Sequence, residues 1–413
     1  MKKPLFLLVF ALGAATAAAV HRSGKLDRQP PHIHVELPAG PLRGDVTVQI
    51  TVQDLTPGVS KAHLMLDGGP PVPLSVDASG RASWIWPGGS GRPPGRHTLV
   101  VHAEDSAWQP NASQVSVQRE TDDQPPVLHY SLVPEQPAQG TAAAVFLWAD
   151  EALADAQLVG LDQSRPMRAT SEGPLRALVG IGVATPSEPT VLTVTATDLL
   201  GNTSTCEVPI VVAPTDFPSG GYIRLSSKQV KARRDIEALE AMRAARTAAY
   251  THVDPLQHWE GATVRPVQGR RTSPFGRYRT YSDGRKKHHL GTDLANITGT
   301  PVKSALRGVV RAAGWQHLFG NAVIVHHGQG LTSSYNHLSA ISVEQGQSVE
   351  AGQVVGKLGS TGQSTGPHLH WGMQVGEVEV DPERWPAHGF SPSLLELKAE
   401  AARPCATPRA AQP

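Results

Sequence analysis

Three short segments in the last third of the chain hold side chains whose types and spacing suit metal chemistry. They are His289-Leu290-Gly291-Thr292-Asp293, Ser334-Tyr335-Asn336-His337-Leu338 and Gly366-Pro367-His368-Leu369-His370-Trp371. An H-x3-D pair and an H-x-H pair supply four groups, His289, Asp293, His368 and His370, of the kind that zinc gathers in tetrahedral array. The H-x-H step also carries structural information. On an extended strand residues i and i+2 face the same way. His368, His370, Gly372 and Gln374 then share one face, and Leu369, Trp371, Met373 and Val375 the other. The second set is a core face, so the first lines a groove. Tyr335 and His337 share a face by the same count. His288 points away from the site if its segment is extended. His326 and His327 follow the apolar run Val323–Val325 and read as structural.

Other patterns carry less. The chain contains no H-E-x-x-H, so no glutamate base of that type is available. The Gly359–Gly366 stretch GSTGQSTG is followed by neither Gly-Lys-Ser/Thr nor a helical pattern, and reads as tight turns rather than a phosphate loop. Val343–Gly356 is like the hairpins of lipoyl-carrier domains but lacks the carrier lysine in its turn, and reads as scaffold. From Gly269 to Lys287 run Arg270, Arg271, Arg277, Arg279, Arg285, Lys286 and Lys287 against Asp283 alone. This is either a solvated loop or a basic wall that attracts anionic peptides or polymers.

Together these motifs resemble the M23 zinc metallopeptidases, the lysostaphin-type endopeptidases that cut the peptide part of bacterial cell walls. The matching text runs in the family's order from about Pro266 to Trp385: Ser273-Pro274-Phe275-Gly276, HLGTD, Gly299-Thr300-Pro301-Val302, the run from Gly320 to Gly328, YNHL, and GSTGQSTGPHLHW. The helix upstream and His258-Trp259-Glu260-Gly261 are similar to the lead-in of Gram-negative-type members. The resemblance implies one Zn²⁺ per chain held by His289, Asp293 and His370, with the fourth position left to water. It implies that His337 and His368 are the unliganded catalytic pair. Zinc lowers the pKa of its water to roughly 7; one histidine helps take the proton, and the pair steadies the oxyanion and protonates the leaving amine. Which histidine is the base stays open. Members also use a tyrosine beside the zinc to steady the oxyanion, and Tyr281 is the nearest candidate here.

The elements that must position these groups are mainly β. Gly and Pro number 40 and 35 in 413 residues, above the usual ~12% together, and neither suits helix interiors. Asp45–Asp54 reads DVTVQITVQD, the strict alternation of a half-buried strand. Similar runs separated by turn clusters make residues 32–120 a β-sandwich. The pattern returns 93 positions later: Leu99, Val101, Ala103, Asp105, Val115 and Val117 recur as Leu192, Val194, Ala196, Asp198, Val208 and Ile210. Residues 125–213 are therefore a second module, and both resemble the Ig-like sandwiches of bacterial surface proteins. Asp105 and Asp198 read as turn caps rather than calcium ligands. Residues 214–261 form a linker, with a long helix over 226–250 whose charges read as a solvated face. The peptidase domain spans 262–386 as an antiparallel sheet, and 387–413 reads as a disordered Ala/Pro tail. A bridge between Cys206 and Cys405 is left open.

Lys2, Lys3, the apolar run Leu5–Ala15 and Ala17–Ala19 read as a signal peptide over residues 1–19. The expectation is an exported protein of the periplasm, cell envelope or outside, with no later transmembrane segment. A net charge of +1 gives no electrostatic case for nucleic-acid binding, and two cysteines are too few for a disulfide framework. The leading expectation is a zinc endopeptidase acting on peptidoglycan cross-links, its Ig-like modules meeting an envelope partner, restricting the groove or positioning the enzyme. The alternatives are a non-catalytic M23-like module that activates a wall amidase, and an exported protease of Gly-rich proteins. Because every catalytic position lies beyond Pro255, a fragment starting there is expected to fold and act alone.

Overall fold

The structure is a computed structural model that describes residues 28–405 except 55–57, 88–94, 172 and 253. The expected signal peptide at 1–19 and residues 406–413 lie outside the described residues. The chain divides into two compact units. The first runs up to Pro125 and takes in residues 199–202, and the second comprises residues 126–198 and the chain from Thr203 onward.

In the first unit, alternation of apolar and polar residues produces two antiparallel sheets. One has the order His32–Glu36, Val46–Gln53, Arg81–Trp86, and the other Val72–Pro73, Val59–Leu66, Gly95–Asp105, Ala112–Thr121. Val48, Ile50 and Val52 meet Leu64, Trp86, Leu99 and Val101 in one core. The Asp105 carboxylate accepts hydrogen bonds from the backbone of Ala107 and Asn111 and from Asn111 Nδ2, which closes the turn after the strand.

The second unit begins with another pair of antiparallel sheets, around Leu158, Leu192, Val194, Ala196 and Val208. Its strand Ala142–Ala149 reads AAAVFLWA, apolar on both faces. Ala143, Val145 and Leu147 face the sandwich core. Ala142, Ala144 and Phe146 face Trp259, Leu331, Met373, Val375, Trp385 and Phe390. One continuous apolar core therefore joins the second sandwich to the C-terminal domain. Burying side chains of this size stabilises by ~1.5–3 kcal/mol each. Arg176 crosses the same junction: it donates to Phe390 O at 2.8 Å and stacks 4.8 Å from the centre of the Trp259 ring.

The C-terminal domain is built on an eight-stranded sheet: β1 (Arg270–Ser273), β2 (Thr292–Ala295), β3 (Gly308–Gln316), β4 (Gly320–Gly328), β5 (Leu331–Leu338), β6 (Ser348–Val349), β7 (His368–Val375) and β8 (Val378–Val380). Its order is β1-β2-β7-β5-β4-β3-β6, with β8 paired to β7. All pairings are antiparallel, and Leu294, Val323, Val325, Tyr335, Leu369 and Trp371 form its core.

Two expectations change here. The helix over 226–250 is two helices, α1 (Ser227–Ala232) and α2 (Ile236–Tyr250). Asp235 caps α2 by accepting from Ala238 N, and this side chain-to-backbone bond starts a new helix where propensity alone would continue the old one. The tail expected to be disordered is ordered as far as Cys405. Phe390 is buried against Trp385, Arg403–Pro404 pairs with Tyr130 and His129, and Cys405 is disulfide-bonded to Cys206 with Cα atoms 5.0 Å apart. Among the described residues no helix is long and apolar enough to cross a membrane.

Candidate metal and active site

Strand register brings the first two groups together. In the β2–β7 ladder Asp293 stands directly opposite His370, and in the β5–β7 ladder Asn336 stands opposite His370. His289 lies just before β2 and reaches the same point across Gly291. A Cβ on Gly291 would sit 2.6 Å from His370 Cε1 and 2.7 Å from Trp371 O, so only glycine fits.

The result is a tight triad. His289 Nε2 lies 3.0 Å from Asp293 Oδ1 and 2.9 Å from His370 Nδ1, and His370 Nδ1 lies 2.9 Å from the same carboxylate oxygen. All three residues offer a ligand atom within 4.8 Å of the others. His289 Nδ1–H donates to Pro274 O at 3.1 Å, which fixes the tautomer and turns the Nε2 lone pair to the triad. Arg279 holds Asp293 Oδ2 at 2.7 Å and leaves Oδ1 to the histidines. Burial alone would raise the Asp293 carboxyl, but the close contacts with His289 and His370 outweigh it and hold the group well below the carboxylate range. Burial also pushes His370 down to about 4, against the pull of Asp293. An anionic carboxylate and neutral imidazoles are the ligand forms zinc takes. Donors at 2.9–3.0 Å approach the edge of about 3.3 Å of a zinc tetrahedron with 2.0–2.1 Å bonds. The residues fit the ion.

His337 and His368 stand beside the triad with ring centres 4.9 Å apart. His368 Nε2 is 3.8 Å from Asp293 Oδ1. Each ring is anchored by its other nitrogen: His337 Nδ1–H donates to Thr361 O and His368 Nδ1–H to Gly366 O, both at 2.8 Å. Both Nε2 lone pairs are thus left for chemistry. Burial first, then the charges of His370 and His368, push His337 down to about 3, so its ring is neutral. The glycine-rich loop supplies these carbonyls. Gly362, at φ +70°, approaches Gly320 so closely that a Cβ would lie 2.3 Å from its nitrogen.

The shared face expected for Tyr335 and His337 is not formed. His337 adopts φ +64°, the left-handed region, which breaks the two-residue alternation. Tyr335 therefore points into the core, where its hydroxyl meets Ser333 Oγ at 2.8 Å, while His337 turns into the cavity. The alternation of β7 holds, with His368, His370, Gly372 and Gln374 on the cavity and Leu369 and Trp371 in the core. His288 lies outside the triad and hydrogen-bonds Gly276 O, but it lines the cavity instead of pointing away from it as expected. His327 is fully buried between Arg307 O and Ser333 Oγ, each at 2.8 Å. Tyr281 lines the cavity, its ring flanked by the guanidiniums of Arg233 and Arg285 at 5.1 and 5.5 Å.

The cavity measures about 470 Å³, and helices α1 and α2 form part of its wall. The polar face of α2 is therefore not wholly solvated. Arg246 donates to Asn336 Oδ1 at 3.2 Å and to the Tyr250 hydroxyl, and Asn336 Nδ2 donates to His370 O at 3.0 Å. The sequence held a signal for this: Met242, Arg246 and Tyr250 follow one another at four-residue steps along one helix face.

A cleft lined by His289, Asp293, His337, His368 and His370 on an antiparallel sheet is the geometry against which relatives are compared. Residues 287–382 match peptidase family M23, and the C-terminal part of the chain is an M23 peptidase domain. The chain is 42% identical over 129 residues to the DD-carboxypeptidase/endopeptidase Mpg of Neisseria meningitidis, covering 31% of this chain and 30% of that protein. It is 45% identical over 87 residues to the peptidoglycan DD-endopeptidase ShyA of Vibrio cholerae, covering 21% of this chain and 20% of that one. The chain thus spans less than a third of the length of these curated relatives. Among solved structures, the catalytic domain of the antimicrobial peptidase lysostaphin from Staphylococcus simulans aligns at 35% identity and a TM-score of 0.26, over 28% of this chain and 89% of that one.

Proposed function

We propose that the protein is an exported zinc endopeptidase that hydrolyses peptide cross-links of bacterial peptidoglycan. The observation that carries this reading is the convergence of His289, Asp293 and His370 with two further histidines whose Nε2 atoms face one cavity. The names of the relatives, endopeptidases of peptidoglycan, support the substrate class.

His289 Nε2, Asp293 Oδ1 and His370 Nδ1 would hold the ion. When bound, zinc supplies Lewis-acid polarisation there. The rest falls to the chain's own groups. Neutral His337 can accept a proton at Nε2 because Nδ1–H is committed to Thr361 O. His368, anchored the same way, presents a second Nε2 4.9 Å away, ring centre to ring centre. The pair takes the proton of the attacking water, donates to the developing oxyanion and returns a proton to the leaving amine. Arg279, 2.7 Å from Asp293 Oδ2, orients the carboxylate. A module that only activates a wall amidase has no use for all five groups.

The test is digestion of purified peptidoglycan by the zinc-loaded full chain, with products identified by mass spectrometry. New amine and carboxyl termini within the cross-link peptides are expected. Intact cross-links, or cleavage confined to bonds outside them, would refute the reading.

A further inference from the structure

The cavity wall carries more positive charge than the metal triad uses. Its cations are Arg233, Arg243, Arg246, Arg279 and Lys287, and its acids Asp293, Glu377 and Glu379. Arg279 is committed to Asp293, and Glu377 lies in the field of Arg165. Burial pushes the Glu379 carboxyl up, even though Arg246 and Lys287 draw it down. Within the cavity wall four cations therefore share one carboxyl that ionises reluctantly, while Asp283, which attracts Arg233 from outside it, is paired with Arg285. Among the described residues none of the four has a carboxylate oxygen within 4.0 Å.

The guanidinium of Arg246 is fixed by neutral partners. Arg246 donates to Gln316 Oε1 at 2.5 Å, to Asn336 Oδ1 at 3.2 Å and to the Tyr250 hydroxyl, and its guanidinium carbon lies 3.9 Å from the centre of the Phe319 ring. These partners are neutral, so they fix the guanidinium without compensating its charge, and they use three of its five N–H groups. Arg233 Nε is buried with no hydrogen-bond partner. Like charges crowded in a partly enclosed space repel one another, and an anion that accepts their hydrogen bonds relieves that cost.

We propose that Arg233, Arg243, Arg246 and Lys287 form a carboxylate-binding subsite of the hydrolytic groove, which holds a free carboxylate carried by the substrate peptide. The inference rests on the proposed function, since it takes the ligand to be a peptide that reaches the metal site. Helices α1 and α2 thereby become specificity elements, because three of the four cations lie on them or at their junction.

The probe is a cross-linked peptide dimer released from peptidoglycan, with its carboxyl groups free or converted to primary amides. Binding is titrated in the zinc-loaded full chain carrying His368→Ala, and hydrolysis is followed in the unsubstituted zinc-loaded chain. The free-acid dimer is expected to bind about tenfold or more tightly than the amide, with the difference shrinking as salt rises. Arg243→Gln and Lys287→Gln, both exposed, should each reduce that preference without changing zinc content. Equal binding of the two dimers, binding of neither, or a preference that survives Arg243→Gln and Lys287→Gln combined would overturn the subsite. The two readouts separate the failures. Preferential binding of the acid without hydrolysis of either dimer supports the subsite and refutes the peptidase reading. Hydrolysis with indifferent binding does the reverse.

Discussion

Asp293 divides its oxygens, Oδ2 to Arg279 and Oδ1 to the two histidines, so a single carboxylate orients the triad and balances it. Other buried histidines serve the fold. His327 Nδ1–H donates to Arg307 O, and Nε2 joins a chain through Ser333 Oγ to the Tyr335 hydroxyl. Burial pushes His327 down to about 3 and its neighbour His326 to about 4, against ~6.5 in the unfolded chain. Between those values the unfolded state binds more protons, so stability is full above pH ~6.5 and falls as pH drops towards 4 and 3. Urea unfolding of the zinc-free protein should show that slope. His327→Gln should flatten it while costing stability at neutral pH; an unchanged slope would remove His327 from the cause. The gathering of His289, Asp293, His368 and His370 was legible from the H-x3-D and H-x-H spacings, whereas the place of His337 and the roles proposed for all five rest on the family resemblance. Arg279 and Arg246 were not, because an arginine's partner is set by tertiary contacts that no local pattern encodes.

At the scale of elements, close approach matters as much as strand register. Gly291 lets the segment before β2 pass over His370. Gly291→Ala should displace that ring and weaken zinc binding by about 10–100-fold, as loss of a supporting contact typically does, although no ligand is altered. Competition with a chelator would measure it, and unchanged affinity would show that the segment yields at no cost to the triad. The alternation of β7 was readable from its residues, since polar and apolar positions strictly alternate. The turn of His337 out of its row was not: a left-handed φ at a non-glycine residue leaves no mark in the sequence. The break between α1 and α2 was half visible, because Asp235 is a good cap but sits within an otherwise continuous helical run.

At the scale of the molecule, the second sandwich and the peptidase domain share a core and a covalent link. Phe146 and Leu178 pack with Trp259, Met373 and Phe390, and the Cys206–Cys405 bond spans 199 residues. The expectation that a fragment starting at Pro255 folds alone is therefore reversed. Such a fragment exposes this apolar face and lacks Cys206, whereas one starting at residue 126 retains both and should melt in one cooperative transition. Cys405→Ser should cost ~2–5 kcal/mol, and a fragment from Pro255 that melts cooperatively would contradict the shared core. The apolar run AAAVFLWA was the visible sign of a strand buried on both faces; what covered its second face was not visible. The most direct test of the hydrolytic site is zinc content and peptide turnover measured together on five single variants. His289→Ala, Asp293→Ala and His370→Ala should lose zinc. His337→Ala and His368→Ala should keep one zinc per chain and lose about 10²–10⁴-fold in turnover. Full zinc in the first three, or unimpaired turnover in the last two, would contradict it.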